Sequence, residues 1–245
     1  MVELEKDGGI ARIFLNRPEK VNALNSELLD ALAAKLEHLG SDESLRVVVL
    51  AGRGKVFCAG ADVGELAALN ESTAPAFVGR VHRACTALRA LPVPVVARLH
   101  GVVIGAGLEI AAACDLRIAA KGTRLAMPEV KLGIPSVVEA ALLPRLMGSG
   151  RAAWLVLTGE AIDAERAYEW GLVEEVTEEL DQSVGRVVQS LVAADRRALR
   201  VQKQLLQLWE EAPLGRSIDA SLARFAEAYA GGVPPALRRH TISRA

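Results

Sequence analysis

The chain has 245 residues, of which 51% are hydrophobic and 24% are charged, and its formal net charge is −1. Its length and apolar content are sufficient for one large buried core. The near-neutral charge and an aromatic content of only 4% argue against nucleic-acid binding, attraction to anionic membranes and carbohydrate stacking.

The N-terminal region shows neither a secretory leader nor an apolar stretch long enough to span a bilayer. Three cysteines, Cys58, Cys85 and Cys114, are odd in number and lack the spacing of metal ligands. They indicate reduced, mostly buried thiols. His82 and His100 have no ligand partner at a suitable spacing. We therefore expect a cytoplasmic protein without a metal.

The first elements are predicted from turn and capping signals. Gly8 and Gly9 separate two strand-like runs and predict a hairpin. A helix follows, which Asn25 or Ser26 can cap and Gly40 can end. Its apolar face consists of Leu28, Leu29, Leu32, Leu36 and Leu39. The apolar run Val47–Ala51 then predicts a buried strand.

The remaining elements continue the alternation of strands and helices. A helix is predicted around Phe77 to Leu88, ended by Pro92, and a strand at Val93–Leu99. Later predictions comprise helices at Leu108–Ala113, Ala152–Leu157 and Ala164–Trp170, strands at Leu116–Ala119 and Leu172–Val176, and one long helix at Val184–Trp209. This order predicts an α/β fold. We divide it into a core of residues 1–180 and a helical region of residues 181–245.

Two small-residue turns precede predicted helices, at Val56–Asp62 and at Gly105–Glu109. Such turns allow a ligand close to the backbone, and the N–H groups that open a helix are free to donate. Taken alone, the first turn is more simply a tight turn that needs small residues. The turn at Gly105–Glu109 partly matches the glycine pattern of dinucleotide-binding proteins, but Ile110 occupies a position where that pattern requires glycine.

Glu109 follows the second turn and is surrounded by small apolar residues. It could simply be a residue favoured at a helix start. Poor solvation would instead raise the pKa of its carboxyl, which suits proton transfer. Glu129 follows Met127 and Pro128, and the proline favours an extended conformation before it. Glu129 could equally be a solvated loop residue, and spacing alone does not bring the two glutamates together.

These segments, in this order, resemble the crotonase (enoyl-CoA hydratase/isomerase) superfamily over roughly residues 10 to 180. Three further segments agree with it: Leu15–Pro18 with Asn22–Leu24, Pro94–Gly101, and Leu157–Glu160 with Gly171–Val173. The resemblance implies a spiral of repeated ββα units with a helical C-terminal region for trimerisation. It also implies a homotrimer or homohexamer.

The same resemblance assigns roles to residues of this chain. The backbone N–H groups of Ala61 and Ala106 would form an oxyanion hole, although relatives often have glycine at the position of Ala106. Glu109 would activate water, and Glu129 would exchange a proton at C2 of a 2-enoyl-CoA. Contacts to coenzyme A or the acyl group are expected from Asn22, Ala23, Leu24, Ala59, Gly60, Ala61, Asp62, Val63 and Gly105. Coenzyme A is part of the substrate, and no separate cofactor is expected.

Alternatives remain open beside this assignment. An isomerase needs only one base, at the position of Glu129, whereas the presence of Glu109 favours a hydratase. A specialised acyl-CoA reaction is another possibility. Some relatives bind RNA, but the basic residues Arg196, Arg197, Arg200 and Lys203 are more simply a solvated helix face.

The chain departs from the family after Glu129, where many relatives have a glycine-rich stretch. Here Ser136 and Glu139 have the spacing of a capping box, in which both side chains bond the first helical N–H groups. We favour that interpretation over a Glu139 that lines the acyl pocket and selects a polar substrate. The segment after Ala230 also departs from the family, and no coenzyme A contact is assigned to it.

Overall fold

The computed structural model describes residues 1–230 together with residues 232, 234 and 237. The strands of this part are β1 Val2–Asp7, β2 Ile10–Leu15, β3 Val47–Gly52, β4 Val95–Leu99, β5 Val102–Ile104, β6 Leu116–Ala120, β7 Arg124–Ala126, β8 Ile162–Asp163 and β9 Glu175–Thr177. The α-helices are α1 Ser26–Gly40, α2 Val63–Ala67, α3 Ala74–Ala90, α4 Ala106–Ala112, α5 Leu143–Met147, α6 Ser149–Thr158, α7 Ala164–Glu169, α8 Leu180–Ala193, α9 Arg196–Glu211 and α10 Leu214–Ala228. The α/β class is therefore confirmed.

The strands form two sheets. The larger has the order β1-β2-β3-β4-β6-β9, in which only the β1–β2 pair is antiparallel. The smaller has the order β5-β7-β8. Successive strands β4 and β5, and likewise β6 and β7, contribute one strand to each sheet. This division produces the repeated strand-strand-helix units.

The larger sheet is covered on both faces, because successive side chains of a strand point to opposite sides. On β3, Val48 and Leu50 join the main core, to which α1 and α3 contribute. Val47 and Val49 join a second apolar cluster with Val184 and other residues of α8. Burial of both faces explains why β3 is a continuous apolar run.

Most predicted elements of the first half are confirmed, including the hairpin and α1, where Asn25 is the N-cap. The single long helix at Val184–Trp209 is wrong. The chain forms α8 and α9 instead, because Ala194 is extended and the Asp195 side chain accepts from the Ala198 N–H at 2.9 Å. An aspartate that caps a new helix is a readable break signal within a continuous periodic pattern.

The three cysteines are buried free thiols, as predicted. Within the described ranges, no helix is both long and apolar enough to cross a membrane. The domain boundary at residue 180 and the cytoplasmic location stay predictions.

Candidate functional site

The two small-residue turns lie against each other. Cys58 and Val103 form an isolated parallel bridge, and the Ile104 N–H donates to the Cys58 carbonyl at 3.1 Å. Gly60 has φ of +96°, and a Cβ added there would lie 2.9 Å from the Ile104 carbonyl oxygen. The turn before α2 and the turn before α4 therefore meet through backbone contact that only glycine permits at this position.

Ala61 and Ala106 each follow one of the contacting glycines, Gly60 and Gly105. Among the backbone hydrogen bonds of the described residues, neither of the two alanine N–H groups acts as a donor. Ala106 is the first residue of α4, where N–H groups have no partner within the helix. The arrangement thus offers two unused donors at adjoining turns, which can bind an oxygen that carries developing negative charge.

Gly105 also brings Glu129 to the start of α4. A Cβ on Gly105 would lie 2.3 Å from Glu129 Oε1, so the carboxyl packs against the bare α-carbon. The pairing of β5 with β7 fixes this contact, because the Gly105 N–H donates to the Ala126 carbonyl at 2.9 Å. Glu109 lies in the first turn of α4 and is 5% exposed. The structure therefore brings the two glutamates to one place, which their spacing in the sequence did not show.

The surroundings of Glu109 favour its protonated form. Burial and the nearby negative charges of Glu129 and Glu139 together raise the pKa of this carboxyl to about 8. The nearby Ala140 N–H acts in the opposite direction and does not offset them. The predicted rise of the Glu109 pKa is confirmed, and Glu109 carries a proton at neutral pH.

Glu139 is a third buried carboxyl, and the predicted capping box is wrong. The Ser136 hydroxyl donates to Glu129 Oε2 at 2.9 Å, and the 3₁₀ turn Val138–Leu142 has no side-chain cap. Val138 has φ of +41°, which removes the regular helix entry that a capping box requires. Glu139 is 7% exposed, and its Oε1 lies 2.8 Å from His82 Nδ1.

Asn22 does not fit its predicted contact with coenzyme A. Its side chain is fully buried and uses its polar atoms within the protein. The side-chain oxygen accepts from the Arg17 N–H, and the side-chain nitrogen donates to the carbonyls of Arg53, Val56 and Phe57. Asn22 also has φ of +55°, a left-handed conformation that asparagine adopts more readily than most residues. It shapes the turn instead of facing a ligand.

Leu24 is also fully buried, but its backbone joins the N-terminal segment to the first turn. The Leu24 N–H donates to the Gly60 carbonyl at 2.8 Å, and the Asp62 N–H donates to the Leu24 carbonyl at 2.9 Å. The Leu24 side chain belongs to the core and cannot contact a ligand at the surface. Its predicted contact is therefore corrected to a positioning role for the turn.

Of the other predicted contact residues, Gly60 and Gly105 are buried, whereas the rest form a partly open rim. Ala23, Ala59 and Ala61 are partly exposed, and Val63 is exposed. Asp62 caps α2, as predicted, and also pairs with Arg17 at 3.0 Å. Arg17, which further donates to the Ala23 carbonyl at 2.7 Å, was not predicted as a site residue. Its place beside Pro18 in the N-terminal motif was the available signal.

In the part of the chain that the structure describes, no group of three or more histidine, cysteine, aspartate or glutamate residues could hold a metal ion. The expectation of a metal-free protein without a separate cofactor stays a prediction.

Comparison with known proteins gives consistent similarities. The family model for enoyl-CoA hydratase/isomerase matches residues 5–230. The short-chain-enoyl-CoA hydratase of Clostridium acetobutylicum is 35% identical over 93% of this chain and 87% of its own length. The 1,2-epoxyphenylacetyl-CoA isomerase of Escherichia coli is 33% identical over 86% of this chain and 83% of its own. A crystal structure of enoyl-CoA hydratase from Mycobacterium smegmatis superimposes with a TM-score of 0.91, at 32% identity, over 94% of this chain and 91% of that chain. The fold expected from the resemblance is thereby confirmed.

Proposed function

Since the chain belongs to the enoyl-CoA hydratase/isomerase family, we propose that it adds water across the C2–C3 double bond of a 2-enoyl-CoA, giving a 3-hydroxyacyl-CoA. The observation that carries this proposal is the pair of carboxyls at one end of α4, Glu109 and Glu129. Addition of water requires one group that accepts a proton and another that supplies one. Two carboxyls that share a single proton meet both requirements.

The thioester carbonyl is the part of the substrate that the turns would bind. Donation from the N–H groups of Ala61 and Ala106 would stabilise the enolate-like charge that develops on the carbonyl oxygen. Such donors act without reorganisation when the backbone already holds them in place, and losing one typically costs about 3–4 kcal/mol of transition-state stabilisation. The backbone contact between Gly60 and Ile104 supports this preorganisation.

The protons of the hydration reaction balance within the pair. Glu109 takes a proton from water as the oxygen bonds to C3, and Glu129 gives its proton to C2. The pair therefore begins and ends the reaction with one proton. In the free protein that proton is on Glu109, because burial and the neighbouring charges of Glu129 and Glu139 raise the Glu109 pKa to about 8. With the proton on Glu109, the pair is in the protonation state that begins the reverse reaction, the elimination of water. Hydration begins instead with the proton on Glu129.

The test is turnover of crotonyl-CoA, followed by the loss of absorbance of the conjugated thioester. Glu109→Gln and Glu129→Gln should each lower the rate by about 10²–10⁴-fold, because each removes one proton-transfer group. Glu160→Gln is the matched control, since Glu160 is exposed and pairs with Lys131 on the 3₁₀ turn that begins at Glu129. It should keep the wild-type rate. Wild-type turnover by both site variants would contradict the proposal.

Isomerisation of a 3-enoyl-CoA to a 2-enoyl-CoA is the second candidate. It is favoured by the match to the enoyl-CoA hydratase/isomerase family model and by the need for only one base, Glu129. Activity on a 3-enoyl-CoA that is lost in Glu129→Gln and kept in Glu109→Gln would select it. RNA binding through Arg196, Arg197 and Arg200 of α9 would instead give salt-sensitive binding without thioester turnover. Lys203, predicted to share this solvated face, is buried and pairs with Asp115 at 2.8 Å.

A further inference from the structure

Glu139 has no task in the hydration chemistry, yet it is buried close to the reacting carboxyls. Its side chain is 8% exposed and lies beside His82, whose side chain is 61% exposed. Only Oε1 reaches the histidine, at 2.8 Å. Oε2 is buried and has no hydrogen bond of regular geometry among the described residues, although the Cys85 thiol lies beside the Glu139 carboxyl. A buried carboxyl oxygen without a donor destabilises the fold, so a benefit elsewhere would explain its presence.

The backbone next to Glu139 ties it to Glu109. The 3₁₀ turn that carries Glu139 packs against α4. The Ala140 N–H, which donates to the Val137 carbonyl at 3.0 Å, lies near the Glu109 carboxyl. Charges in such a buried place interact more strongly than they do in water. The groups that face this region are Glu109 on α4, Glu129 after β7, Glu139 itself, and Cys85 and His82 on α3.

Cys85 does not neutralise the carboxyls. Burial raises the pKa of this thiol well above its ordinary value, and the charges of Glu139 and Glu109 raise it further. The thiol is therefore uncharged at neutral pH. His82 lies on the outer side of Glu139 and bonds the other carboxyl oxygen. The negative charge of Glu139 acts on Glu109, because the turn that carries Glu139 packs against α4.

The segment after Glu129 acts on the two members of the pair in different ways. The Ser136 hydroxyl donates to Glu129 Oε2 at 2.9 Å and so gives this carboxyl a polar partner. Three residues later Glu139 places a negative charge near Glu109, which opposes ionisation of Glu109. Ser136 therefore bonds Glu129, whereas Glu139 acts on Glu109 through its charge.

We propose that Glu139 is a positioning residue that keeps the shared proton of the carboxyl pair on Glu109 and off Glu129. The catalytic meaning of this placement rests on the proposed function, because it sets which carboxyl is ready to give a proton. The placement itself is a property of the free protein. With Glu139 in place, the resting pair is prepared for elimination of water from a 3-hydroxyacyl-CoA.

The test is a pH titration of the glutamate carboxyl carbons by ¹³C NMR on the free full-length protein, with the Glu109 signal assigned by its loss in Glu109→Gln. In the wild type, Glu109 should titrate with a pKa near 8. In Glu139→Gln its midpoint should fall by about half a pH unit or more, because one nearby negative charge is gone. Glu139→Met removes the same charge with an apolar side chain, and it replaces Glu139→Gln in the titration if the glutamine variant does not fold.

Two controls separate charge from structural disturbance. Glu139→Asp keeps the charge and should keep Glu109 titrating near the wild-type midpoint. Glu37→Gln removes an exposed carboxylate that pairs with Arg83 of α3, and it should leave the midpoint unchanged. An unchanged midpoint in the charge-removing variants, or an equal fall in either control, would overturn the proposal. Because no substrate is used, this result is independent of whether the protein hydrates crotonyl-CoA.

Crotonyl-CoA turnover supplies the second readout. In Glu139→Gln the pH profile of kcat/KM should shift to lower pH along with the NMR midpoint. A loss of rate with an unshifted profile would assign Glu139 a merely structural role and contradict the proposal. Absence of turnover in the wild type would instead refute the proposed function and leave the titration result standing.

Discussion

At the scale of single residues, the chemistry of Glu109 follows from where α4 buries it. Every residue of this helix is buried, so the carboxyl has little water around it. Burial, together with the charges of Glu129 and Glu139, moves its pKa from an ordinary value of 4.5 to about 8. A group whose pKa is raised in the folded state contributes stability below pH 4.5 and loses that contribution as the pH rises through 8.

Glu109→Gln should therefore gain stability relative to the wild type as the pH rises. The two proteins should differ little near pH 5, because the wild-type carboxyl is then neutral. Near pH 9 the variant should have the larger free energy of unfolding, by an amount of the order of a few kcal/mol. Urea unfolding at these two pH values measures the difference. A parallel loss of stability in both proteins would show that Glu109 ionises normally in the folded state.

The residue scale also shows what the sequence could not predict. Small apolar neighbours after Glu109 were enough to predict its raised pKa. The role of Glu139 was not readable, because the Ser136 and Glu139 spacing fits a capping box equally well. The left-handed backbone at Val138 is what rules out the capping box. A valine rarely adopts this conformation, so the sequence does not predict it. Likewise, the contacts of Asn22 depend on carbonyls more than thirty residues away.

At the scale of elements, the turn between β5 and α4 holds the site together. Gly105 has φ of 52° and ψ of −125°, a conformation that is unfavourable for a residue with a side chain. A Cβ there would also collide with the Glu129 carboxyl, 2.3 Å away. The spacing between the two glutamates therefore depends on the absence of one methyl group.

Gly105→Ala should displace Glu129 and lower crotonyl-CoA turnover by about 10²-fold or more, the cost expected when a proton-transfer group is lost. Gly79→Ala is the matched control, because Gly79 lies within α3 and an added Cβ there would meet nothing within 4 Å. It should keep activity and gain slightly in helix stability. Equal turnover by the two alanine variants would show that Gly105 does not position Glu129.

Elements with strong periodicity were predictable from the sequence, and short ones were not. The leucine spacing of α1 and the apolar run of β3 identified both elements. The three-residue strands β5 and β7 are too short for any alternation to be read, although their pairing places Glu129 beside Gly105. The break between α8 and α9 was missed because their apolar spacing continues across Ala194.

At the scale of the whole molecule, the C-terminal helices carry an apolar surface. On α10, Leu214, Ile218, Leu222 and Phe225 follow each other at helical spacing, and all four are exposed. Leu222 and Phe225 are 65% and 67% exposed, which is unusual for residues grouped on one face. Because the family resemblance implies a homotrimer or homohexamer, we propose this α10 face as the contact between copies of the chain.

Replacing Leu222 and Phe225 together by aspartate should yield a monomer in light-scattering measurements of molar mass, because an isologous or cyclic contact repeats the added charges. The wild type should have the mass of a trimer or of a pair of trimers. Ala223→Asp, on the same helix but beside the apolar stripe, is the control and should keep the wild-type mass. A wild type of monomeric mass, or a double variant of unchanged mass, would exclude this face as the contact.

The whole fold was accessible only through the resemblance. Alternation of strands and helices predicted the α/β class, but it gave neither the split of successive strands between two sheets nor the meeting of the two turns. These features arise from register across distant segments, such as Cys58 with Val103. The ordered set of motifs predicted the fold, because their order and spacing match a family whose fold is the same, whereas no single motif is specific enough.

The most direct measurement is the reaction of crotonyl-CoA in labelled water, with the product analysed by mass spectrometry and NMR. We predict that the wild type gives 3-hydroxybutyryl-CoA with one oxygen from H₂¹⁸O at C3 and, in D₂O, one deuterium at C2. Glu109→Gln and Glu129→Gln should each incorporate both labels at a rate at least about 10²-fold lower. Unlabelled crotonyl-CoA recovered from the wild type, or labelling at the wild-type rate in both variants, would contradict water addition by this carboxyl pair.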